Sequence, residues 1–93
     1  LTYANEADML NVVLFGKTAK MWREENSENK GNIRDHASMN QLLVLMNLES
    51  YNAVLIEQKK SQAERMTLLR EMAVKQLQTL ENTTLSLPKL NQK

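Results

Sequence analysis

Between Ser38 and Gln58 apolar residues fall on nearly every side of a helix, and this stretch most limits what the chain can fold into. Ser38 with Gln41 three residues later forms a capping box, and apolar side chains then run to Ile56. At about 100° per residue, Leu42, Leu43, Val44, Leu45, Met46, Leu48, Val54, Leu55 and Ile56 surround the cylinder. A helix of that kind must be covered on more than one side. Its positions 39 to 58 would reach about 30 Å, the width of a small domain.

The neighbouring segments supply part of that cover. Asn5 is placed as an N-cap with Glu6 and Asp8 in the first turn, and Ala7, Leu10, Val13 and Leu14 follow at helical spacing. Gly16 stands where a left-handed C-terminal residue belongs, and Thr18 opens a shorter helix over Ala19 to about Asn26. Residues 27 to 35 are polar and aperiodic, and are expected to form a loop. Ser61 and Glu64 make a second capping box, followed by the stripe Ala63, Met66, Leu69, Met72, Ala73, Leu77 and Leu80. Only Lys59 and Lys60 precede that cap, so the two long helices must be antiparallel neighbours. The fold expected is all-α: a long antiparallel helical hairpin over about 38–80, packed with two shorter N-terminal helices. Residues 1–82 form one helical domain, and 83–93, where Thr83, Thr84 and Pro88 break the pattern, form an extended or flexible tail.

Composition closes off several function classes. The chain has 93 residues and no cysteine, so neither disulfides nor thiolate zinc sites nor a cysteine nucleophile exist in it. Two glycines and one proline are too few for the turns of a sandwich or barrel. Twelve basic against eleven acidic residues give a net charge of +1, which attracts neither nucleic acid nor an anionic membrane in bulk. No apolar run approaches the roughly 20 residues of a bilayer span. The chain opens at Leu1 without an initiator methionine and is expected to be a piece of a longer, cytoplasmic protein.

Chemistry-bearing residues are sparse. His36 follows Asp35, but sequence neighbours point apart, and no nucleophile elbow or phosphate-cradling loop accompanies them. Glu24, Glu25 and Glu28 make an acidic patch in which only the carboxylates at 24 and 28 would share a helix face, with no third ligand for a cation. No catalytic residue, metal site or cofactor is expected. Asn47, Glu49 and Asn52 interrupt the apolar helix, and a buried carboxylate there needs a partner. Arg34, just before the helix, and Arg23 on the second helix are the nearest, so Arg23, Arg34, Asn47, Glu49 and Asn52 are expected to form a structural polar network. On that reading Glu49→Ala costs on the order of 3 kcal/mol. Lys17, Lys20 and Arg23 share a face and are the best candidate nucleic-acid contacts, whereas Arg65, Arg70 and Lys75 point three ways. Four aromatic residues, one Trp, two Tyr and one Phe, leave no stacking platform. Of the six methionines, Met46, Met66 and Met72 are assigned to core filling.

The segments Gly16-Lys17-Thr18-Ala19-Lys20-Met21-Trp22-Arg23, Lys30-Gly31-Asn32-Ile33-Arg34-Asp35, Asn47-Leu48-Glu49-Ser50-Tyr51-Asn52-Ala53-Val54-Leu55-Ile56 and Gln62-Ala63-Glu64-Arg65 carry a resemblance. Together they resemble the C-terminal region of bacterial KilA-N domain proteins, found in chromosomes and prophages, over about residues 3–80. The KilA-N domain proper, the inferred DNA-binding module of that family, is not in this chain. The resemblance implies a DNA-associated or phage-related parent protein. Two positions depart from its pattern: a tyrosine is expected where His36 stands, and a glycine near Lys59. The second departure implies a left-handed residue without glycine at the helix end, at a cost of about 1 kcal/mol.

The function expected is a non-catalytic association module, because a domain this small has too few helices to cover every side of the central one. Its partner is itself, as a homodimer, or the parent's N-terminal domain, with DNA binding weak or absent in this fragment. The outward stripe is assigned to Met39, Leu43, Ser50 and Val54, and the hairpin core to Leu42, Leu45, Ala53 and Ile56. Two alternatives stand: a DNA-binding helical module using the basic face of the second helix, and a small enzyme or ligand-binding domain around Glu49, Arg34 and His36.

Overall fold

Each helix starts where a short polar side chain can take up its free amide groups. The computed structural model describes residues 2–86, with side chains through Asn82. Helix α1 spans Glu6–Phe15, α2 Ala19–Glu25, α3 Met39–Glu57 and α4 Gln62–Ser86, and no strand occurs among the described residues. Asn5 Oδ1 accepts from Ala7 N at 2.8 Å, and Thr18 Oγ1 from Met21 N at 3.1 Å. Gly16 closes α1 at φ 79°, its amide donating to the Val12 carbonyl. Both capping boxes form. Ser38 and Gln41 exchange bonds of 3.1 and 2.9 Å, and Ser61 Oγ accepts from Glu64 N at 3.2 Å.

The stretch expected to be a loop is more ordered than its polarity suggested. It closes in a 3₁₀ turn, Ile33–His36, held by a third capping box. Asn32 Oδ1 accepts from the amides of Arg34 and Asp35, and Asp35 Oδ2 accepts from Asn32 N at 2.8 Å. This turn buries Ile33. Gly31 has φ 88°, and a Cβ there would sit 2.5 Å from Asp35 Oδ2. Trp22 of α2 stacks at 5.0 Å on His36, whose Nε2 lies 2.8 Å from the Lys30 carbonyl. A carbonyl only accepts, so that nitrogen carries the proton. Helix α2 buries none of its own residues and packs on this turn.

The core is made by α1, α3 and α4. Met9, Leu10, Val13 and Leu14 meet Val44, Leu45, Leu48 and Leu55 of α3 and Leu69 and Ala73 of α4. Helices α3 and α4 are the antiparallel hairpin, and α1 lies against both. Ala53 and Ile56, assigned to the hairpin core, are instead exposed, Ile56 at 46%. Met46, assigned to core filling, is 63% exposed. Both errors have one cause: α3 is apolar on every side, so its pattern does not say which side is inward.

Helix α4 also runs through Thr83–Ser86, where an extended tail was expected to begin. β-branched residues cost a helix only about 0.5 kcal/mol each, too little to end one already propagating. Residues 87–93 of the expected tail lie outside the described residues.

The α3–α4 turn is a Schellman motif: Lys60 N donates to the Leu55 carbonyl and Lys59 N to that of Ile56. Lys59 occupies the left-handed position at φ 60°, the only such non-glycine among the described residues. Lys59→Gly is therefore expected to stabilise the fold by about 0.5–1 kcal/mol in chemical denaturation.

Candidate functional site

The residues singled out in the sequence do not form one network; the structure divides them among three separate contacts and leaves Arg23 in none. Arg34 Nη2 stands 3.6 Å from Glu49 Oε2, but the side chains are 42% and 47% exposed. The expected pairing is present, while the expected burial is not. Glu49 lies on the outer side of α3, where water solvates both charges and the pair contributes little. Arg23 joins neither this pair nor any other polar contact among the described residues. Asn47 Nδ2 donates to Gln76 Oε1 of α4 at 2.9 Å.

Asn52 belongs to a buried cluster whose other members were not anticipated. Arg65 of α4 is 9% exposed. Its Nε donates to Asn52 Oδ1 at 3.0 Å, its Nη1 to the Lys60 carbonyl at 2.7 Å, and its Nη2 to both Glu6 carboxylate oxygens at 3.0 Å. Asn52 Nδ2 and Gln62 Nε2 also donate to Glu6, at 2.8 and 3.0 Å. Gln62 and the Tyr3 backbone exchange a further pair of bonds. Burial pushes the Glu6 carboxyl up, but bonds from Asn52, Gln62 and Arg65, with the arginine's charge, outweigh it and hold the group below its ordinary pKa. The sequence signal was the spacing of Arg65, Leu69 and Ala73 at four-residue steps, which puts the arginine on the inward line of α4.

The basic face of α2 is broken. Lys17 Nζ is 2.6 Å from Glu25 Oε1, so of Lys17, Lys20 and Arg23 only the last two are unpaired. His36, Arg34 and Glu49 do not converge either. The small cavity beside His36 is lined by Phe15, Lys17, Trp22, Ile33, Ala37 and Gln41, without Arg34 or Glu49. Among the described residues no group of three or more His, Asp or Glu is placed to hold a metal, and no helix is long and apolar enough to cross a membrane.

What does converge is apolar. Helix α1 fills one side of the α3–α4 hairpin, and the fold is only 15 Å thick, about two helix layers. The hairpin's other side carries an open groove. Leu43, Asn47, Thr79 and Leu80 line one end, with a volume of about 220 Å³. Ser50, Tyr51, Val54 and Met72 line the other, at about 480 Å³. Leu43 and Val54 are 44% and 45% exposed, and Met39 at the start of α3 is 82% exposed. Met39, Leu43, Ser50 and Val54 thus all face outward. Tyr51 and Met72 complete the groove; Met72 had been assigned to the core, and it touches the core with one side only.

Comparison with known proteins returns nothing to set beside this arrangement: no protein-family model, curated protein or solved structure matches the chain.

Two expectations follow for the polar groups. Glu49→Ala should change stability by less than about 0.5 kcal/mol in denaturant titration, the range of an exposed pair. Because the Glu6 pKa is lowered in the folded state, its stabilisation is fully present above the unfolded value of about 4.3 and is lost as pH falls through the folded one. The midpoint of denaturation should therefore fall more steeply below pH 4.3 in the wild type than in Glu6→Gln, while at pH 7 the variant is the less stable of the two.

Proposed function

We propose that the chain is a non-catalytic helical association module of a DNA-associated, prophage-related bacterial protein that works in the cytoplasm. One observation carries the reading: α1 occupies one face of the α3–α4 hairpin, while the opposite face presents Leu43, Tyr51, Val54 and Met72 to solvent. Elements that are apolar on two sides are stable when both sides are layered, and here the second layer is missing from the described residues. The partner that supplies it is a second copy of the chain or the parent protein's N-terminal domain. The resemblance to the KilA-N proteins supports the DNA-associated parent, and the interrupted basic face of α2 supports assigning DNA contact to another part of it.

Leu43→Glu separates this reading from a purely structural one. Light scattering over a concentration series should show the wild type associating and the variant monomeric, with unchanged far-ultraviolet circular dichroism. A wild type that is monomeric at every concentration and does not bind the parent's N-terminal domain overturns the proposal. So does a Leu43→Glu chain that unfolds, since that stripe would then belong to the core.

A further inference from the structure

The rim of the groove says which partner it fits. Glu71 and Lys75 sit one turn apart on α4, and both line the groove beside Tyr51, Met72 and Gln76. Both are exposed, and neither is in an ion pair among the described residues. The floor between them and α3 is already satisfied, since Asn47 and Gln76 bond each other across it. The rim thus offers one cation and one anion, four residues apart along the helix, flanking an apolar centre.

We infer that the occupant of the groove is a second copy of this chain, laid across it on a two-fold axis so that the two α4 helices run antiparallel. The inference rests on the association reading above and deepens it. A surface that docks on its own copy must be self-complementary, because each residue meets its counterpart through the same axis. An antiparallel two-fold through the middle of the Glu71–Lys75 turn brings Glu71 of one copy to Lys75 of the other, and Lys75 to Glu71. The same operation lays Met72 of each copy toward the other's groove. A parallel arrangement would instead set like charges against each other, which costs affinity. A partner with a single-signed rim would leave one of the two charges opposed at each crossing. The dipolar pair therefore fits a copy of itself better than a uniformly acidic or basic surface.

Charge reversal decides it, read by sedimentation equilibrium of the full chain at low ionic strength. Lys75→Glu and Glu71→Lys should each weaken the dimer about tenfold, since each turns two symmetric attractions into repulsions. The double variant Lys75→Glu with Glu71→Lys should return to within about twofold of wild type, because the pairs are restored with their signs exchanged. Mixing the two single variants sets the two acids of one copy against the two bases of the other, so both crossings are attractive and the hetero-pair should recover to within about twofold of wild type, although neither variant pairs well with itself. If Leu43→Glu abolishes a wild-type dimer while the charge variants leave it unchanged, the two-fold antiparallel arrangement is wrong and association through the groove stands. If the wild type is monomeric but binds the parent's N-terminal domain through Leu43, the occupant is that domain and the inference falls. A wild type that neither dimerises nor binds that domain overturns both.

Discussion

A single buried guanidinium fixes how the three core helices sit on one another. Apolar contact between α1, α3 and α4 is non-directional and tolerates sliding. Arg65 does not, because its planar fork must meet Glu6 of α1, Asn52 of α3 and the Lys60 carbonyl of the turn together. Moving α1 by one turn, about 5.4 Å, would break every bond to Glu6 at once. Bringing the charge out of water offsets much of what those bonds contribute, so the cluster acts on register more than on net stability. Arg70 adds a second tie to α1 through the Val13 carbonyl at 2.6 Å, one and a half turns further along α4.

That arrangement also decides which surface is left over. With Arg65, Leu69 and Ala73 turned toward α1 and α3, the next line of α4, through Leu68, Met72 and Gln76, is directed to the opposite side of the hairpin. On α3 the inward positions are Val44, Leu48, Asn52 and Leu55, which leaves Leu43, Ser50 and Val54 on the same opposite side as Met72. The groove is thus a consequence of where one arginine is buried.

The local signals in the sequence were read correctly because each is settled within a few residues. Asn5, Thr18, Ser38, Ser61 and Gly16 act on the backbone next to them, and so does the strained Lys59. The Asn32–Asp35 box carried the same kind of signal as Ser38–Gln41 but with Asp in place of the usual Glu or Gln, and its 3₁₀ turn was read as loop. What sequence could not supply was tertiary. A partner for the polar residues of α3 was sought in Arg34 and Arg23, the nearest cations before the helix. Asn52 found its partner thirteen residues on, across the hairpin turn. Glu49, on the other side of α3, was left at the surface with Arg34. The stripe of Met39, Leu43, Ser50 and Val54 is exposed, but so are Ala53 and Ile56, which had been assigned to the core, because two apolar faces of similar breadth do not mark which one is inward.

The groove cannot be closed by the chain rearranging on itself. Burying Leu43 and Val54 against α4 would need α3 to roll toward Met72, and the Asn47–Gln76 bond spans that gap at 2.9 Å. Rolling would break it and leave two half-buried amides without partners, at about 1–3 kcal/mol each. The same roll would carry Asn52 out of reach of Arg65 and strand a buried charge, a far larger loss. Both polar contacts therefore hold the hairpin open on the side away from α1. The apolar residues there stay in water until something other than the described part of this chain covers them.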